Sequence, residues 1–325
     1  HTYIGYILRP SFTYQPTEKT ALQAGAHLLK YSGINGFTQT LPYFRFHYKV
    51  FRGLDLVMGN IYSTLNHEMI EPVYGFDRYH EKNIENGMQF IGEYRRYKGD
   101  LWMNWEKFID FNDPNKEQFS VGHRSRIILT NPDKPLKISI PINVLFYHKG
   151  GQDTQDSSNL ITRMNASAGL AINYAFSNSF VKAIGAHFHY LYYQDVSPNP
   201  NINFVKGNGS YNNIYLNTSF VNITMGHWEG YRFFNPRGDR MFSNISFTQP
   251  TYDIERLAIP PRYTDERRSY ILSKVFIHHD IYDGIKLAAA FESYYDYRNS
   301  QYDLYYALYV LCNMNFFVHK VKYQD

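Results

Sequence analysis

Apolar and polar residues alternate along most of the chain, with a period of two. In residues 41–50, LPYFRFHYKV, the even positions carry the apolar set and the odd positions carry Arg, His and Lys. Residues 137–146 and 163–174 repeat this arrangement, with apolar side chains on the even positions. A period of two is the pattern of a β-strand. Runs of about ten residues are long enough to cross a bilayer at a tilt.

Short turns and long polar stretches alternate between these runs. The short turns follow Tyr14, Lys49, Tyr97, Thr130, Phe176 and Tyr282. The long stretches are residues 65–86, 110–118, 149–159, 194–212 and 235–268. Short periplasmic turns and long extracellular loops are typical of a transmembrane β-barrel. We therefore predict an all-β fold, a transmembrane antiparallel up-and-down β-barrel.

The number of strands follows from the up and down runs. About fifteen runs begin at Thr2, and we divide residues 213–234 into two strands by a turn near Asn222. Because bacterial barrels of this kind have an even number of strands, we predict about sixteen, with about fourteen as the alternative. Residues 1–325 would form one barrel domain that lacks its extreme N-terminus, with one strand either upstream of His1 or poorly ordered.

Composition supports a barrel over other classes of protein. Aromatic residues make up 18% of the chain, including 31 Tyr and 24 Phe, as the interfacial girdles of a membrane barrel require. No apolar run approaches the roughly 18 residues of a transmembrane helix, and mean hydropathy is -0.46. The single cysteine, Cys312, excludes an internal disulfide. A net charge of +4 is too small to indicate nucleic acid as a partner.

The C-terminal segment points to the same class. Its even positions from Tyr306 to Phe316 are apolar, and several polar residues follow Phe317. This segment resembles the terminal strand of Gram-negative outer-membrane β-barrels, and the whole chain is porin-like in pattern. The resemblance implies the bacterial outer membrane, with its lipids and lipopolysaccharide as partners. Envelope proteins or a second copy of the chain are further expected partners.

Charged and polar residues on the predicted inward faces form a lumen set. Charges facing lipid would cost about 2–4 kcal/mol each at mid-membrane for Arg or Lys, so an inward placement is favoured. The set could orient small anionic or hydrophilic solutes, or it could form a plug of mutual ion pairs. Its members are Arg9, Arg45, His47, Lys49, Glu93, Arg95, Asn104, Glu106, Arg124 and Arg126.

A second set lies at the outer ends of predicted strands, in the runs 66–72, 104–108 and 227–238. We favour anchoring by the aromatic girdle, together with loop docking, over a constriction where loops fold into the lumen. The loop-rim candidates are His67, Glu68, Glu71, Trp228, Glu229 and Arg232.

Together these features predict a porin-like channel for passive diffusion of small hydrophilic solutes, and no enzyme. The alternative is a non-conducting barrel within a larger envelope complex. A more distant one is an outer-membrane lipid hydrolase, for which His123 and Ser125 share a strand face without a recognisable triad. A soluble β-rich binding protein is disfavoured by the aromatic content. No cofactor or metal site is predicted, since His187 and His189 have no assignable third ligand.

Overall fold

The computed structural model describes residues 3–111, 113–151, 159–177, 179–247, 261–316 and 318. Sixteen antiparallel strands form one sheet, and two further strands, β14 and β15, form a small separate sheet. The strands are β1 (Gly5–Leu8), β2 (Ser11–Thr17), β3 (Thr20–Tyr31), β4 (Gln39–Phe51), β5 (Leu54–Asn60), β6 (Asn86–Tyr94), β7 (Tyr97–Lys107), β8 (Glu117–Ile128), β9 (Leu136–Gly150), β10 (Ile161–Ala175), β11 (Val181–Asp195), β12 (Lys206–Thr218), β13 (Val221–Tyr231), β14 (Ile245–Phe247), β15 (Pro261–Thr264), β16 (Arg267–Tyr282), β17 (Ile285–Asp296) and β18 (Gln301–Cys312).

The connectivity confirms the predicted up-and-down barrel class. Each long strand pairs with the next one along the chain, except that β13 pairs with β16 across the small sheet. The short strands β1 and β2 pair with opposite ends of β3. They are separated by Arg9 and Pro10, and proline has no N–H to donate to a ladder. The two pieces therefore act as one interrupted strand.

Alternation along the long strands places the two faces as predicted. On β9 and β10 the side chains of Phe146 and Leu170 are exposed on the outer surface, while Leu145 and Asn165 are buried inside. The outer surface is consequently a broad apolar band. No helix in the described part of the chain is long and apolar enough to cross a membrane. The helical elements are one turn, α1 (Arg78–Glu81), and a 3-10 turn over Arg240–Phe242.

Short turns lie at one end of the sheet and longer loops at the other, here called the turn end and the loop end. The turn between β12 and β13 comes just before Asn222, close to its predicted place. One turn was predicted too late: the chain reverses between Tyr94 and Tyr97, not after Tyr97. Residues 97–100 continue β7 because Gly99 and Asp100 pair with Ser125 and Arg124 of β8.

Two loops fold back into the lumen and bond to each other. We call residues 61–85 the first lumen loop and residues 232–244 the second lumen loop. The Gly75 amide donates to the Arg237 carbonyl and the Asp239 amide to the Glu71 carbonyl, both at 2.9 Å. The Asn235 side chain donates to the Pro72 carbonyl at 3.1 Å. These bonds join the loops into one unit.

An aromatic layer fixes this unit to the inner wall. Trp228 of β13 packs edge-on against Phe233 and Phe242 of the second lumen loop, with ring centroids 5.2 and 5.4 Å apart. All three side chains are fully buried. On the neighbouring strand β16, Lys274 bonds to Glu71 of the first lumen loop at 2.6 Å and to Glu292 at 2.9 Å. Within the described residues, packed side chains fill this level of the lumen, which differs from the open passage expected of a channel.

Candidate functional site

The wall has a notch at its loop end, because two neighbouring strands stop short. Pairing of β4 with β5 ends at Arg45 and Gly59, and pairing of β6 with β7 ends at Gly87 and Asn104. Residues 39–44 of β4 and 105–107 of β7 therefore continue without a strand between them. The first lumen loop occupies the interval from β5 to β6.

Gly59 and Asn60 close the bottom of the notch. Gly59 has φ 85, and a Cβ there would lie 2.5 Å from the Phe44 carbonyl oxygen. Glycine is therefore required where the chain turns away from β4 into the first lumen loop. The Asn60 side chain then takes the place of a strand partner. Its oxygen accepts from the Phe44 amide and its nitrogen donates to Asn86. These bonds satisfy the strand edge that the notch leaves open.

A cleft of about 170 Å³ occupies the notch. It has room for about five water-sized groups. Trp105 on its rim is exposed on the apolar outer surface, whereas Leu41 shares the inward face of β4 with Tyr43, so the cleft reaches the outer surface of the wall at Trp105. Its lining residues are Gln39, Leu41, Lys82, Ile84, Asn86, Asn104, Trp105 and Glu106.

The Glu106 carboxylate lies fully buried at the inner side of the cleft. Its Oε1 accepts from Arg237 Nε at 2.9 Å and from the Ser120 hydroxyl. Arg78 lies 3.5 Å from Oε1, and the Lys82 ammonium lies 3.9 Å from Oε2. Oε2 is buried and accepts no hydrogen bond within the described chain. A buried acceptor without a donor is uncommon, so this oxygen is an unsatisfied polar atom beside the cleft.

Asn104 completes the polar side of the cleft. Its carbonyl oxygen accepts from the Asn86 amide at 3.0 Å, which leaves its NH₂ group available for other acceptors. Asp100, Trp102, Asn104 and Glu106 alternate along β7 and share its inward face. The wall thus presents one row of functional side chains behind the notch, at about 6.7 Å spacing.

His67 joins the first lumen loop to this row. Its Nδ1 lies 2.6 Å from Asp100 Oδ2 and its Nε2 lies 2.9 Å from Glu85 Oε2, and its ring stacks on Trp102 at 4.3 Å. Burial opposes a charge on His67, but Glu85 and Asp100 outweigh it and raise the pKa of the imidazole to about 9. Burial likewise opposes the charge on Glu85, yet His67 outweighs it and lowers the pKa of that carboxyl.

These contacts decide what His67 can do chemically. Both ring nitrogens of the imidazolium donate to carboxylates, so neither can accept a proton from a substrate. Glu85 also accepts from the Thr64 amide at 3.1 Å and from the Tyr74 hydroxyl at 2.9 Å. His67 is therefore a positioning residue that holds the first lumen loop, including Lys82 and Ile84, against the cleft.

Members of the lumen set on β4 and near the N-terminus contact the first lumen loop or neighbouring strands. Arg9 bonds to Asn83, and Arg45 donates to the Asn60 and Ile61 carbonyls at 2.7 and 3.1 Å. His47 lies between Asp55 and the Tyr62 hydroxyl, at 2.9 and 3.1 Å. Lys49 is exposed near the turn end.

The other members divide between the cleft, the loops and the turn end. Asn104 and Glu106 line the cleft, and Arg124 pairs with Glu68 of the first lumen loop. Arg126 faces the part of the lumen nearest the turn end. Glu93 forms an ion pair with Lys98 at the turn end. Arg95 differs from its predicted position, since it lies in the turn after β6 and pairs with Asp133 at 2.5 Å outside the lumen.

The loop-rim candidates do not form one group. His67 and Glu71 are inside the lumen, and Glu68 bonds to Arg124. Trp228 is fully buried in the lumen and so does not belong to an outer girdle, whereas Trp105 does face outward. Two members remain at the rim in exposed ion pairs: Glu229 with Arg267, and Arg232 with Glu266.

Several residues of the site were missed from the sequence. Glu85, Asp100, Arg78 and Lys82 carry no local motif, and each meets its partner through the fold of the first lumen loop. Arg237 lies in the run 227–238, which was singled out, but its partner Glu106 is 131 residues away. His123 and Ser125 share the outward face of β8 and are not bonded to each other in the described chain. No three His, Cys, Asp or Glu side chains converge as metal ligands among the described residues.

Comparison with known proteins assigns the family. A solved structure of OmpT (in-vitro folded), an outer membrane protein of Vibrio cholerae, is similar with a TM-score of 0.48 and 8% identity, over 88% of this chain and 77% of that one. No curated protein matches the chain significantly. The family model described as lipid A 3'-O-deacylase-type matches residues 1–321.

This match corrects the functional prediction. A passive porin-like channel and the absence of enzymatic activity are both wrong for this family, and with them the assignment to transport. The packed lumen gives the physical reason. The outer-membrane location and contact with membrane lipids and lipopolysaccharide are confirmed. The chain belongs to the lipid A 3'-O-deacylase-type family of bacterial outer-membrane β-barrels.

Proposed function

We propose that this protein hydrolyses an ester-linked acyl chain of lipid A at the outer leaflet, and that the notch admits the substrate. The observation that carries the proposal is the sideways opening of the cleft, from the apolar outer surface to the buried Glu106 carboxylate. A lipid ester can reach this carboxylate without leaving the membrane. Family membership supports the reaction class.

The cleft residues match the parts of such a substrate. Leu41, Ile84 and Trp105 offer apolar contact to the acyl chain. Arg78, Lys82 and Arg237 surround the single carboxylate of Glu106, so positive charge is in excess. Lipid A is a phosphorylated, acylated glucosamine disaccharide, and its phosphate would be attracted to this excess.

The reaction would proceed by attack of water on the acyl carbon. Glu106 Oε2 would accept a proton from the water as its oxygen bonds to that carbon, and would return a proton to the sugar oxygen as the ester C–O bond breaks. The neighbouring cations favour the carboxylate form that accepts the proton, and they also limit its strength as a base. The Lys82 ammonium and the Asn104 NH₂ group would stabilise the oxyanion. The products are a free fatty acid and the sugar hydroxyl.

The test is incubation of the folded protein with lipid A, followed by mass spectrometry of the lipid and assay of free fatty acid. We expect loss of one acyl chain with the unaltered protein. Glu106→Gln should lower the rate by about 10²-fold or more, because it removes the proton acceptor. The matched control is Glu229→Gln, which changes an exposed rim carboxylate and should keep the rate.

Two outcomes would contradict the proposal in different ways. If the unaltered, folded protein releases no fatty acid, the proposed activity is wrong. If folded Glu106→Gln keeps the full rate, the activity stands but the role of Glu106 does not. Heat-modifiable electrophoretic mobility would verify that each variant is folded.

Partners beyond the lipid stay a prediction from the sequence. We propose that any envelope protein or second copy binds the apolar outer surface or the loop end, since the lumen is filled. Chemical cross-linking in intact outer membranes would detect such a partner. A chain recovered only as a monomer would contradict it.

A further inference from the structure

Arg126 is a cation of the lumen near the turn end, with no carboxylate beside it among the residues that the structure describes. It lies on the inward face of β8 near the turn end and makes no ion pair or hydrogen bond within the described chain. Its neighbour Arg124, by contrast, pairs with Glu68. An interior guanidinium is normally paired, so a missing anion is the simplest complement.

The wall between Arg126 and His189 carries the small residues Pro141 and Gly169, and we call the strip over them the hollow. Arg126 pairs with Pro141 of β9, and the β9–β10 register sets Pro141 beside Gly169. Gly169 pairs in turn with His189 of β11. Two strands without large side chains therefore separate Arg126 from His189, a distance of about 14 Å along the wall.

Polar atoms around this hollow have no partners. Arg126 Nε, Asn143 Oδ1 and His189 Nδ1 are all buried and make no hydrogen bond within the described chain. His189 is 3% exposed and Asn143 2% exposed. Arg126 also lies in electrostatic range of His187, His189 and Tyr215. Buried polar groups almost always bond to something, so these atoms indicate a polar ligand.

We propose that the hollow between Arg126 and His189 binds one hydrogen phosphate ion from the turn end. The guanidinium is suited to two phosphate oxygens, and His189 can donate to a third. Asn143 Oδ1 is an acceptor and needs a donor from the ligand. Hydrogen phosphate carries a P–OH group, whereas sulfate at neutral pH carries no proton, so phosphate is preferred over sulfate.

This site is independent of the proposed hydrolysis. The cleft lies at the loop end, where Ser120 contacts Glu106, and Arg126 lies further along β8 toward the turn end. Binding of phosphate can therefore be measured whether or not the protein deacylates lipid A.

Isothermal titration of inorganic phosphate into the folded full chain in detergent, at neutral pH, tests the site. We expect saturable binding of one ion per chain and at least tenfold weaker binding of sulfate. Arg126→Gln should weaken phosphate binding at least tenfold. Arg95→Gln is the matched control, because Arg95 is also an arginine of the turn end but lies outside the lumen.

The proposal is overturned by the absence of phosphate binding to the folded chain. It is also overturned if sulfate binds as tightly as phosphate, or if Arg126→Gln binds phosphate like the unaltered protein. An equal loss in Arg95→Gln would show general attraction of anions instead of a built site. Heat-modifiable mobility confirms folding of both variants.

Discussion

Polar residues inside this barrel differ in how many of their hydrogen-bonding atoms are already bonded to other residues. His67 has both nitrogens bonded to carboxylates, so its charge is used to hold a loop. Glu106, which lines the cleft, has one oxygen bonded and one oxygen without a donor among the described residues. Residue type alone would favour histidine as the reactive group. The contacts favour the carboxylate.

The charge on His67 gives a pH prediction. Because the pKa of His67 is raised from its unfolded value of about 6.5 to about 9, the stabilisation it contributes is complete below 6.5 and is lost as the pH rises through 9. Its ring stacks on Trp102, and an imidazolium quenches indole fluorescence. We expect tryptophan emission to rise in a step near pH 9.

The matched variant for this titration is His67→Gln. Ionisation of tyrosines also affects emission at high pH, but it affects both proteins alike. The step should therefore appear in the difference between the two titrations. If the variant shows the same step, His67 is not its source.

At the scale of elements, the site depends on two strands that are shorter than their neighbours. β5 ends at Asn60 and β6 begins at Asn86, and the first lumen loop takes up the residues between. The same feature opens the wall and supplies Lys82 and Ile84 to the cleft. The shape of the cleft and two of its lining residues therefore both depend on the point at Gly59 where the chain leaves β5 and turns into the first lumen loop.

Substitution of Gly59 tests this dependence. Gly59→Ala would place a methyl group against the Phe44 carbonyl, in addition to the strain of a positive φ. Gly33 also has a positive φ, 84, but no heavy atom lies within 4 Å of a Cβ there. We expect Gly33→Ala to lower the free energy of unfolding by about 1–2 kcal/mol and Gly59→Ala by more.

Thermal unfolding and the deacylation rate measure the two effects. Only Gly59→Ala should also reduce the rate, because the notch must shift. Equal stability and equal rates in the two variants would show that the departure at Gly59 does not shape the cleft.

At the scale of the molecule, the lumen is a packed interior and not a passage. The lumen loops connect β7 with β13 and β16, through the Arg237–Glu106 ion pair, the aromatic layer and the Lys274–Glu71 ion pair. Burial of aromatic side chains stabilises this interior by about 1.5–3 kcal/mol for each fully buried phenylalanine. The barrel is thereby braced from inside.

The unaltered protein should give no steady current in a planar bilayer. Replacing residues 66–82 by a short Gly–Ser linker should open a current, because it removes one half of the lumen unit. Shortening the loop of residues 32–38, which lies outside the lumen, is the control and should leave the bilayer silent. Steady current from the unaltered protein would show that the lumen is open.

The sequence predicted the strands and their faces well, because alternation is a local property. The even positions of residues 163–174 face outward as expected, and the strand number is confirmed. Alternation also placed Asn104 and Glu106 inside. It failed at residues 97–100, where Gly99 and Asp100 resemble a turn but form part of β7.

The site itself could not be predicted in the same way. His67 meets Asp100 across 33 residues, and Glu106 meets Arg237 across 131. No period or spacing in the sequence relates such positions, since the fold of the lumen loops determines which side chains contact each other. His123 and Ser125 show how little a spacing on one strand decides, because the two side chains have no bonded partners among the residues that the structure describes.

The bond between Lys274 and Glu71 joins residues 203 apart in the chain, and the bond between Asn235 and Pro72 joins residues 163 apart. Contacts so distant in sequence form slowly, since the intervening chain must first be ordered. The first lumen loop meets Asp100 and Arg124 on nearby strands, but its partners on the second lumen loop and on β16 come much later in the chain. We therefore expect the wall to form before its filling is complete, so that the interior of the nascent barrel is still wet at that stage.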